Sequence, residues 1–268
     1  MTSLYKTTLG LLHAFNLRPK KRLGQNFLID DKALQNIIAA AELSPSDRVL
    51  EIGSGLGVLT KELADRAGHV TAIDKDKDMI EIAKKVLAGC SNIDFKPADF
   101  LDFAPDSPFN KVVANVPYYI TSPIIERLLE NEGTATFSRR FPKLELIVLT
   151  IQKEVAERIT ASPGSRKFGS FSVFVQNRAE AKIGAFISKN SFYPAPDVDS
   201  AILILKPYGK LLYNIDEKIV RAAFQQRRKM IRSSLAEFNI DFSSLGIDPC
   251  KRPESLSLEE FYKISLAR

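Results

Sequence analysis

The stretch Arg48-Val49-Leu50-Glu51-Ile52-Gly53-Ser54-Gly55-Leu56-Gly57 decides the fold. Residues 48–52 are a mainly apolar run with the length of a buried strand, and the glycines follow at once. A helical pattern of Leu59, Leu63 and Ala64 comes next. Because a buried strand that turns through glycines into a helix is the repeating unit of a parallel sheet, the sequence predicts an α/β fold.

The spacing of the glycines indicates which ligand the turn accepts. A glycine-rich turn lets the backbone approach a nucleotide closely, and the start of the next helix offers free N–H groups. A dinucleotide fingerprint needs its third glycine three positions after Gly55, where Val58 stands instead. The observed pattern argues against NAD and favours a nucleoside ligand without a pyrophosphate, such as S-adenosylmethionine.

Two later strands end in residues that suit the same ligand. Residues 70–73 read as a strand that ends in Asp74, where a carboxylate can bind ribose hydroxyls. A short strand at residues 93–96 ends near Asp99 and Phe100, which suit an adenine amino group and ring. Each acidic residue alone is more often a helix cap or a solvated carboxylate. Three successive strands ending in suitable residues are a stronger pattern, and they predict a doubly wound sheet.

The segment Asn115-Val116-Pro117-Tyr118 follows an apolar run and precedes a helix start at Ser122-Pro123. Side chains just past a strand end face the ligand site of an open α/β sheet. Asn115 Oδ1 and the Val116 carbonyl offer two acceptors for an exocyclic amino group. Pro117 would fix the direction of that carbonyl, and Tyr118 can stack on a base. Taken alone, the four residues fit an ordinary strand end running into a turn better than a ligand site.

Composition narrows the function classes. The chain has 268 residues, a net charge of +6 and a pI near 9.2, which favour a polyanionic partner such as nucleic acid. Its two cysteines and two histidines fit no metal-ligand spacing and leave little for a Ser-His-Asp triad, so we expect no metal. We expect a cytoplasmic protein, since the sequence shows neither a signal peptide nor a membrane span.

The C-terminal part reads as a separate helical domain. We place the boundary at Lys206-Pro207-Tyr208-Gly209, which gives domains at residues 1–208 and 209–268. The second domain begins with a predicted helix over residues 216–238, and Ser257-Leu258-Glu259-Glu260 is a capping box that opens the final helix. An arginine stripe on the first helix is usually a solvated face, but it also suits RNA phosphates.

Six motifs resemble those of one enzyme family. They are Gly24-Gln25-Asn26-Phe27-Leu28, Glu51-Ile52-Gly53-x-Gly55, Asn115-x-Pro117-Tyr118, Gln152-Lys153-Glu154-Val155, Phe192-x-Pro194-x-Pro196-x-Val198-Asp199-Ser200 and Phe224-x-x-Arg227-Arg228-Lys229-x-x-Arg232-x-Ser234-Leu235. From Lys20 to the C-terminus, the chain resembles the small-subunit ribosomal RNA adenine dimethyltransferases. The resemblance implies a Rossmann-like class I methyltransferase sheet with a small C-terminal helical domain.

The resemblance also implies an activity and a site. The activity is transfer of methyl groups from S-adenosylmethionine to N6 of two adjacent adenosines in the 3'-terminal hairpin of 16S rRNA, within an immature small subunit and by a monomer. The implied cofactor residues are Asn26, Leu28, Gly53, Gly55, Asp74, Asp99, Phe100 and Asn115. Asn115, Val116, Pro117, Tyr118 and Phe192 are the implied catalytic and base-enclosing residues. The residues expected to hold RNA phosphates are Arg139, Arg140, Arg166, Lys167, Arg221, Arg227, Arg228, Lys229 and Arg232.

The chain departs from the family pattern at three places. Ser54 replaces the usual proline, Tyr119 stands where a smaller polar residue is expected, and the loop at residues 131–143 is longer than usual. Ser54 changes little, whereas Tyr119 affects the shape of the base pocket and the loop affects RNA contacts.

Two alternative functions remain. One is a large-subunit rRNA adenine methyltransferase of the macrolide-resistance type. The segment at residues 192–200 and the Arg-Arg-Lys sequence favour the small-subunit class. The other is an assembly or transcription factor that has lost catalysis. Asn115, Pro117 and Tyr118 argue against such a loss.

Overall fold

The computed structural model describes residues 3–129 and 144–267. Its strands are β1 (Phe27–Leu28), β2 (Arg48–Ile52), β3 (His69–Asp74), β4 (Ile93–Pro97), β5 (Lys111–Asn115), β6 (Leu146–Gln152), β7 (Ala179–Ile187), β8 (Phe192–Tyr193) and β9 (Ser200–Pro207). Its α-helices are α1 (Ser3–Ala14), α2 (Asp31–Ala40), α3 (Val58–Ala64), α4 (Lys77–Val86), α5 (Thr121–Leu129), α6 (Lys153–Ile159), α7 (Ser170–Gln176), α8 (Glu217–Gln225), α9 (Ile231–Ser234) and α10 (Leu258–Leu266).

Within the described residues, seven strands form one sheet in the order β4-β3-β2-β5-β6-β9-β7. Strand β2 lies between β3 and β5 and is parallel to both, and β6 is parallel to β5. Strand β9 is antiparallel to β6. The doubly wound, Rossmann-like sheet predicted from the sequence is therefore confirmed.

The register of three neighbouring strands positions the site. Ile52, the last residue of β2, pairs with Ile73 on β3 and with Ala114 on β5. Since parallel neighbours end at the same edge of the sheet, three features meet there: the glycine turn after β2, Asp74 and Asn115.

Helix α2 shows how the helices cover the sheet. Asp30 caps it by accepting hydrogen bonds from the backbone N–H groups of Lys32 and Ala33. Its apolar side joins a core that includes Val49 and Val113 from the sheet. The helix residues buried in this core are Ala33, Leu34, Ile37 and Ile38.

A small second sheet pairs β1 with β8. Phe27 lies opposite Tyr193, and Leu28 lies opposite Phe192. This pairing is not evident from the sequence, because a strand of two residues has no periodicity that a pattern could reveal. The pairing ties the segment before α2 to the segment before β9.

The chain forms two compact units, Met1–Ala156 with Lys182–Gly209 and Glu157–Ala181 with Lys210–Arg268. The first unit ends beside the predicted boundary at residues 208 and 209. Residues 157–181, which the sequence assigns to the first domain, belong to the second unit. The reason is tertiary, because α7 packs against α8 and the Phe168 and Phe224 rings lie 6.3 Å apart. The catalytic and RNA-binding roles of the two domains stay predictions.

The predicted continuous helix over residues 216–238 is wrong. Helix α8 ends at Gln225, and Met230 is extended, with φ −67° and ψ 151°. The N–H of Ile231 donates to the Lys251 carbonyl at 2.8 Å, so the chain gives up a helical bond for a tertiary one. The apolar spacing continues across the break, which is why the pattern hides it.

Candidate active site

A cavity of about 210 Å³ opens at the carboxyl ends of β2, β3 and β5. All of its lining residues belong to the first unit. The sequence-predicted residues that it brings together are Asn26, Leu28, Gly53, Gly55, Asp74, Asp99, Phe100, Asn115, Val116, Pro117 and Tyr118.

The glycine turn is built on backbone conformations that favour glycine. Gly53 has φ +78° and Gly57 has φ +82°. The N–H of Gly53 donates to the Ile73 carbonyl at 2.8 Å, which fixes the turn beside β3. A side chain at Gly57 would lie 3.0 Å from Leu87 Cδ1, so glycine here also lets the start of α3 approach the α4 side of the core.

Asp74 is held by the turn that it faces. Its Oδ2 accepts from the N–H of Gly55 at 2.9 Å, and its Oδ1 accepts from the N–H of Asp76 at 2.8 Å. Burial raises the pKa of Asp74, and these two hydrogen bonds partly offset the rise. A carboxylate oxygen can accept more than one hydrogen bond, so Asp74 can still receive ribose hydroxyls.

Asp99 and Phe100 form another wall of the cavity. Asp99 accepts from Lys75 Nζ at 2.7 Å and from the Leu101 N–H at 3.0 Å. The Lys75 hydrogen bond lowers the pKa of Asp99, so its carboxylate is ionised and can accept from an amino group. The Phe100 ring is buried, with the Arg127 guanidinium 5.9 Å from its centroid. The two residues suit the edge and the face of an adenine.

Glu51 lines the cavity, although the sequence patterns predict no site role for it. Its side chain is 1% exposed, and neither carboxylate oxygen has a hydrogen-bond partner among the described residues. Burial raises its pKa to about 8, and the nearby Thr60 hydroxyl opposes the rise without meeting hydrogen-bond geometry. A buried, unpartnered carboxyl group suits a cationic ligand group. The sequence signal for Glu51 is an acidic residue within the mainly apolar run at residues 48–52.

Asn115 is oriented by the segment before α2. Its Nδ2 donates to the Asn26 carbonyl at 3.1 Å. Only the amide nitrogen can donate to a carbonyl, so this bond defines which way the side chain is turned. No described residue donates to Oδ1, which leaves this oxygen available to a ligand amine.

Tyr118 and Tyr119 differ in their surroundings. The Tyr118 hydroxyl lies 2.5 Å from Ser200 Oγ, and burial raises its pKa. Tyr119 is 58% exposed, and its ring lies close to Gly24, where an added Cβ would be 3.3 Å from Cε1. Both rings line the cavity. The exposure of Tyr119 and its contact with Gly24 were not evident from the sequence.

The structure does not bring Phe192 to the cavity lining. Its side chain is 2% exposed and packs in the sheet core. Its backbone pairs with Leu28, which does line the cavity. The role of Phe192 in enclosing a base stays a prediction.

None of the predicted phosphate-binding residues belongs to the described part of the first unit. Arg139 and Arg140 lie outside the described residues. The others belong to the second unit, namely Arg166, Lys167, Arg221, Arg227, Arg228, Lys229 and Arg232. Their use as an RNA surface stays a prediction.

Some of these cations are engaged within the second unit. Lys167 pairs with Glu157 at 2.6 Å. Arg227 donates to the Arg166 carbonyl and lies 3.8 Å from Glu254. Arg221 lies 3.6 Å from Glu217 and lines an open groove on α8.

The fold and the cavity together define a class of protein. Three neighbouring parallel strands each end in a feature of the site. They end in a glycine turn, an acidic residue and an Asn-x-Pro-Tyr segment. This is the arrangement of a class I methyltransferase. The orphaned carboxyl of Glu51 and the two acceptors of Asp74 and Asp99 fit S-adenosylmethionine, which has an ammonium group, ribose hydroxyls and an adenine amine.

Comparison with known proteins identifies the family. The model of a family described as ribosomal RNA adenine dimethylase matches residues 16–267. The chain belongs to this family and is an rRNA adenine dimethyltransferase that uses S-adenosylmethionine.

Individual relatives agree with this assignment. The chain is 40% identical to a ribosomal RNA small subunit methyltransferase A from Clostridium botulinum, over 96% of this chain and 97% of the relative. A dimethyladenosine transferase from Plasmodium falciparum is 27% identical, with a TM-score of 0.77 over 90% of this chain and 96% of the other. The 23S rRNA methyltransferase ErmE is 29% identical, with a TM-score of 0.72. The similarity covers 89% of this chain and 98% of ErmE.

Two absences hold for residues 3–129 and 144–267. They contain no helix long and apolar enough to cross a membrane. They also contain no group of three His, Cys, Asp or Glu side chains placed to hold a metal ion.

Proposed function

We propose that the protein dimethylates N6 of two adjacent adenosines in the 3'-terminal hairpin of 16S rRNA, acting as a monomer on an immature small subunit in the cytoplasm. The family assignment, the 40% identical small-subunit relative and the motif at residues 192–200 support this substrate. A role in small-subunit biogenesis follows from modifying an incomplete particle.

The cofactor residues have distinct tasks. Asp74 accepts the ribose hydroxyls, Asp99 accepts the adenine amine, and Phe100 packs on the ring. Glu51 faces the cationic end of the cofactor. Gly53 and Gly55 keep the turn free of side chains, and Asn26 and Leu28 close the cavity. The bound cofactor supplies a methyl group on a sulfonium centre.

One observation carries the proposal: Asn115 donates to Asn26 and keeps Oδ1 free. The lone pair of an adenine amine is delocalised into the ring, which makes the amine a poor nucleophile. Asn115 Oδ1 and the Val116 carbonyl accept hydrogen bonds from its two N–H groups and draw the nitrogen towards a tetrahedral shape. No strong base is required, because positioning and exclusion of water lower the barrier.

The target base is held by its faces. Tyr118 is fixed through Ser200 and stacks on a base taken out of its helix. Pro117, with φ −60° and ψ 129°, gives the preceding carbonyl a fixed direction. Phe192 supports this wall from the core. Because RNA helices hide their base edges, the target lies in a loop.

The main alternative is methylation of large-subunit RNA. The similarity to ErmE favours it, since that protein is a 23S rRNA methyltransferase of the same fold. The second alternative is an assembly factor without catalysis. The intact Asn115, Asp74 and Asp99 weigh against this loss.

The test is methyl transfer from radiolabelled S-adenosylmethionine to isolated small and large subunits that lack the modification. We expect dimethyladenosine in small-subunit RNA. Asn115→Ala should lower the rate at least about 100-fold, as removal of a key polar group typically does, while calorimetry still detects cofactor binding. Asn190→Ala is the control, because its side chain is exposed outside the cavity. Label in large-subunit RNA alone would overturn the assignment of small-subunit RNA as the substrate. Wild-type activity in Asn115→Ala would refute the proposed role of Asn115 in methyl transfer.

A further inference from the structure

An exposed aromatic side chain and a half-buried lysine lie together in the first unit, outside the cavity. Phe186 on β7 is 57% exposed. The Nζ of Lys153, at the start of α6, lies 5.1 Å from its ring centroid. Strand β7 ends the sheet order, so Phe186 lies on an edge strand. A side chain of this kind suits a binding surface.

Strand pairing and one side-chain contact connect Phe186 and Lys153 to Tyr118. Lys153 follows Gln152, which pairs with Ser200 on β9, and the Ser200 hydroxyl lies 2.5 Å from the Tyr118 hydroxyl. Strand β7 is the neighbour of β9, at a spacing of about 4.8 Å. Phe186 therefore lies on the strand next to the one that holds Tyr118 in place.

The cation beside the ring is available to an anion. Within the described part of the chain, no carboxylate lies within salt-bridge distance of Lys153 Nζ. The nearby Asp199 instead accepts from the Lys189 N–H at 3.0 Å, and its carbonyl accepts from the Lys153 N–H at 3.0 Å. An exposed ring with an adjacent free ammonium group is the combination that binds single-stranded nucleic acid.

We propose that Phe186 and Lys153 form a stacking site for one unpaired nucleotide that flanks the target adenosine. Its base stacks on the exposed surface of Phe186, and Lys153 contacts its phosphate. The inference rests on the proposed function, because it requires an RNA target beside Tyr118. Two adjacent adenosines enter the cavity in turn, so the strand must be held open on either side of the reacting base.

The kinetic test uses the full chain and small subunits that lack the modification. Phe186→Ala should raise the KM for subunits about tenfold, the cost of one lost base stack. The KM for S-adenosylmethionine and kcat should stay unchanged, and Phe186→Tyr should keep the wild-type KM. Lys153→Gln should lower the slope of log KM against log salt by about one. Tyr208→Ala, an exposed aromatic beyond the other end of β9, is the matched control.

A crosslink separates RNA contact from an indirect effect. With p-benzoylphenylalanine at position 186, we expect crosslinks to nucleotides that flank the methylated adenosines. Crosslinks only to a ribosomal protein or to distant RNA would overturn the inference. A normal KM in Phe186→Ala would do the same. If the wild-type protein does not methylate small subunits, the proposed function fails instead.

Discussion

At the scale of single residues, Glu51 gives the cavity a pH-dependent component. Its pKa is about 8 in the folded protein, against 4.5 for an ordinary glutamate. The folded state therefore binds more protons than the unfolded state between these values. The sign follows from linkage: the stability contribution is fully present below pH 4.5 and is lost as pH rises towards 8.

The first prediction is that Glu51→Gln removes the loss of folding stability that the wild type shows as pH rises towards 8. The free energy of unfolding of the cofactor-free wild type should fall between pH 5 and pH 8 by on the order of a few kcal/mol more than that of the variant. Denaturant unfolding at the two pH values measures the difference. The exposed Glu81→Gln on α4 should follow the wild type. Equal pH dependence in Glu51→Gln and the wild type would show that Glu51 is not buried as a neutral acid.

Tyr119 has a position that explains its aromatic side chain. Its ring packs against Gly24 and lines the cavity. It therefore contacts the segment that covers the cofactor side of the cavity. This placement favours a role in retaining the cofactor over a role in gripping the target base.

The second prediction is that Tyr119→Ala weakens cofactor binding. We expect the Kd for S-adenosylhomocysteine to rise about tenfold, since a ring contact is worth on the order of 1 kcal/mol. Tyr119→Phe should bind like the wild type, because the hydroxyl is not required for the ring contact. Calorimetry checks both. A raised KM for RNA with unchanged cofactor affinity would assign Tyr119 to the base instead.

At the scale of elements, the break between α8 and α9 sorts the arginines into two groups. Arg227 lies at the break and holds it by contacting Arg166 and Glu254. Arg228 and Arg232 are exposed, and their side chains form no hydrogen bond or ion pair with the described residues. Arg227 therefore stabilises the second unit, whereas Arg228 and Arg232 are free to bind phosphates.

The third prediction separates these groups. Arg228→Gln and Arg232→Gln should each weaken RNA binding and lower its salt slope by about one, with unfolding unchanged. Arg227→Gln should destabilise the protein by on the order of 1 kcal/mol, because its hydrogen bond to Arg166 is lost. Salt titrations of binding and denaturant unfolding measure the two effects. Loss of stability in Arg228→Gln would contradict the division.

At the scale of the whole molecule, the cofactor should stabilise one unit selectively. All residues of the cavity belong to the first unit, and each unit has its own apolar core. The fourth prediction is that saturating S-adenosylhomocysteine slows amide hydrogen exchange in β2, β3 and β5 far more than in α8 and α10. Hydrogen exchange mass spectrometry measures this directly. Equal protection in both units would show that they unfold together.

The division into two units also shows which structural features the sequence patterns do not predict. Sequence patterning predicted most strands of the sheet and the capping box at Ser257, because these depend on neighbours along the chain. It missed the inclusion of residues 157–181 in the second unit and the interruption after Gln225. Both result from contacts between residues far apart in sequence.

The stretch from Arg48 to Gly57, with Asp74 and Asn115, was enough to predict the α/β sheet, the ligand class and the edge of the sheet at which the cavity opens. These features follow from strand length, glycine spacing and the rule that parallel strands end at one edge. Only the tertiary structure decided the orientation of Asn115 by Asn26, the isolation of Glu51 and the burial of Phe192. The physical reason is that hydrogen bonds and burial depend on distances between segments, which the order of residues does not specify.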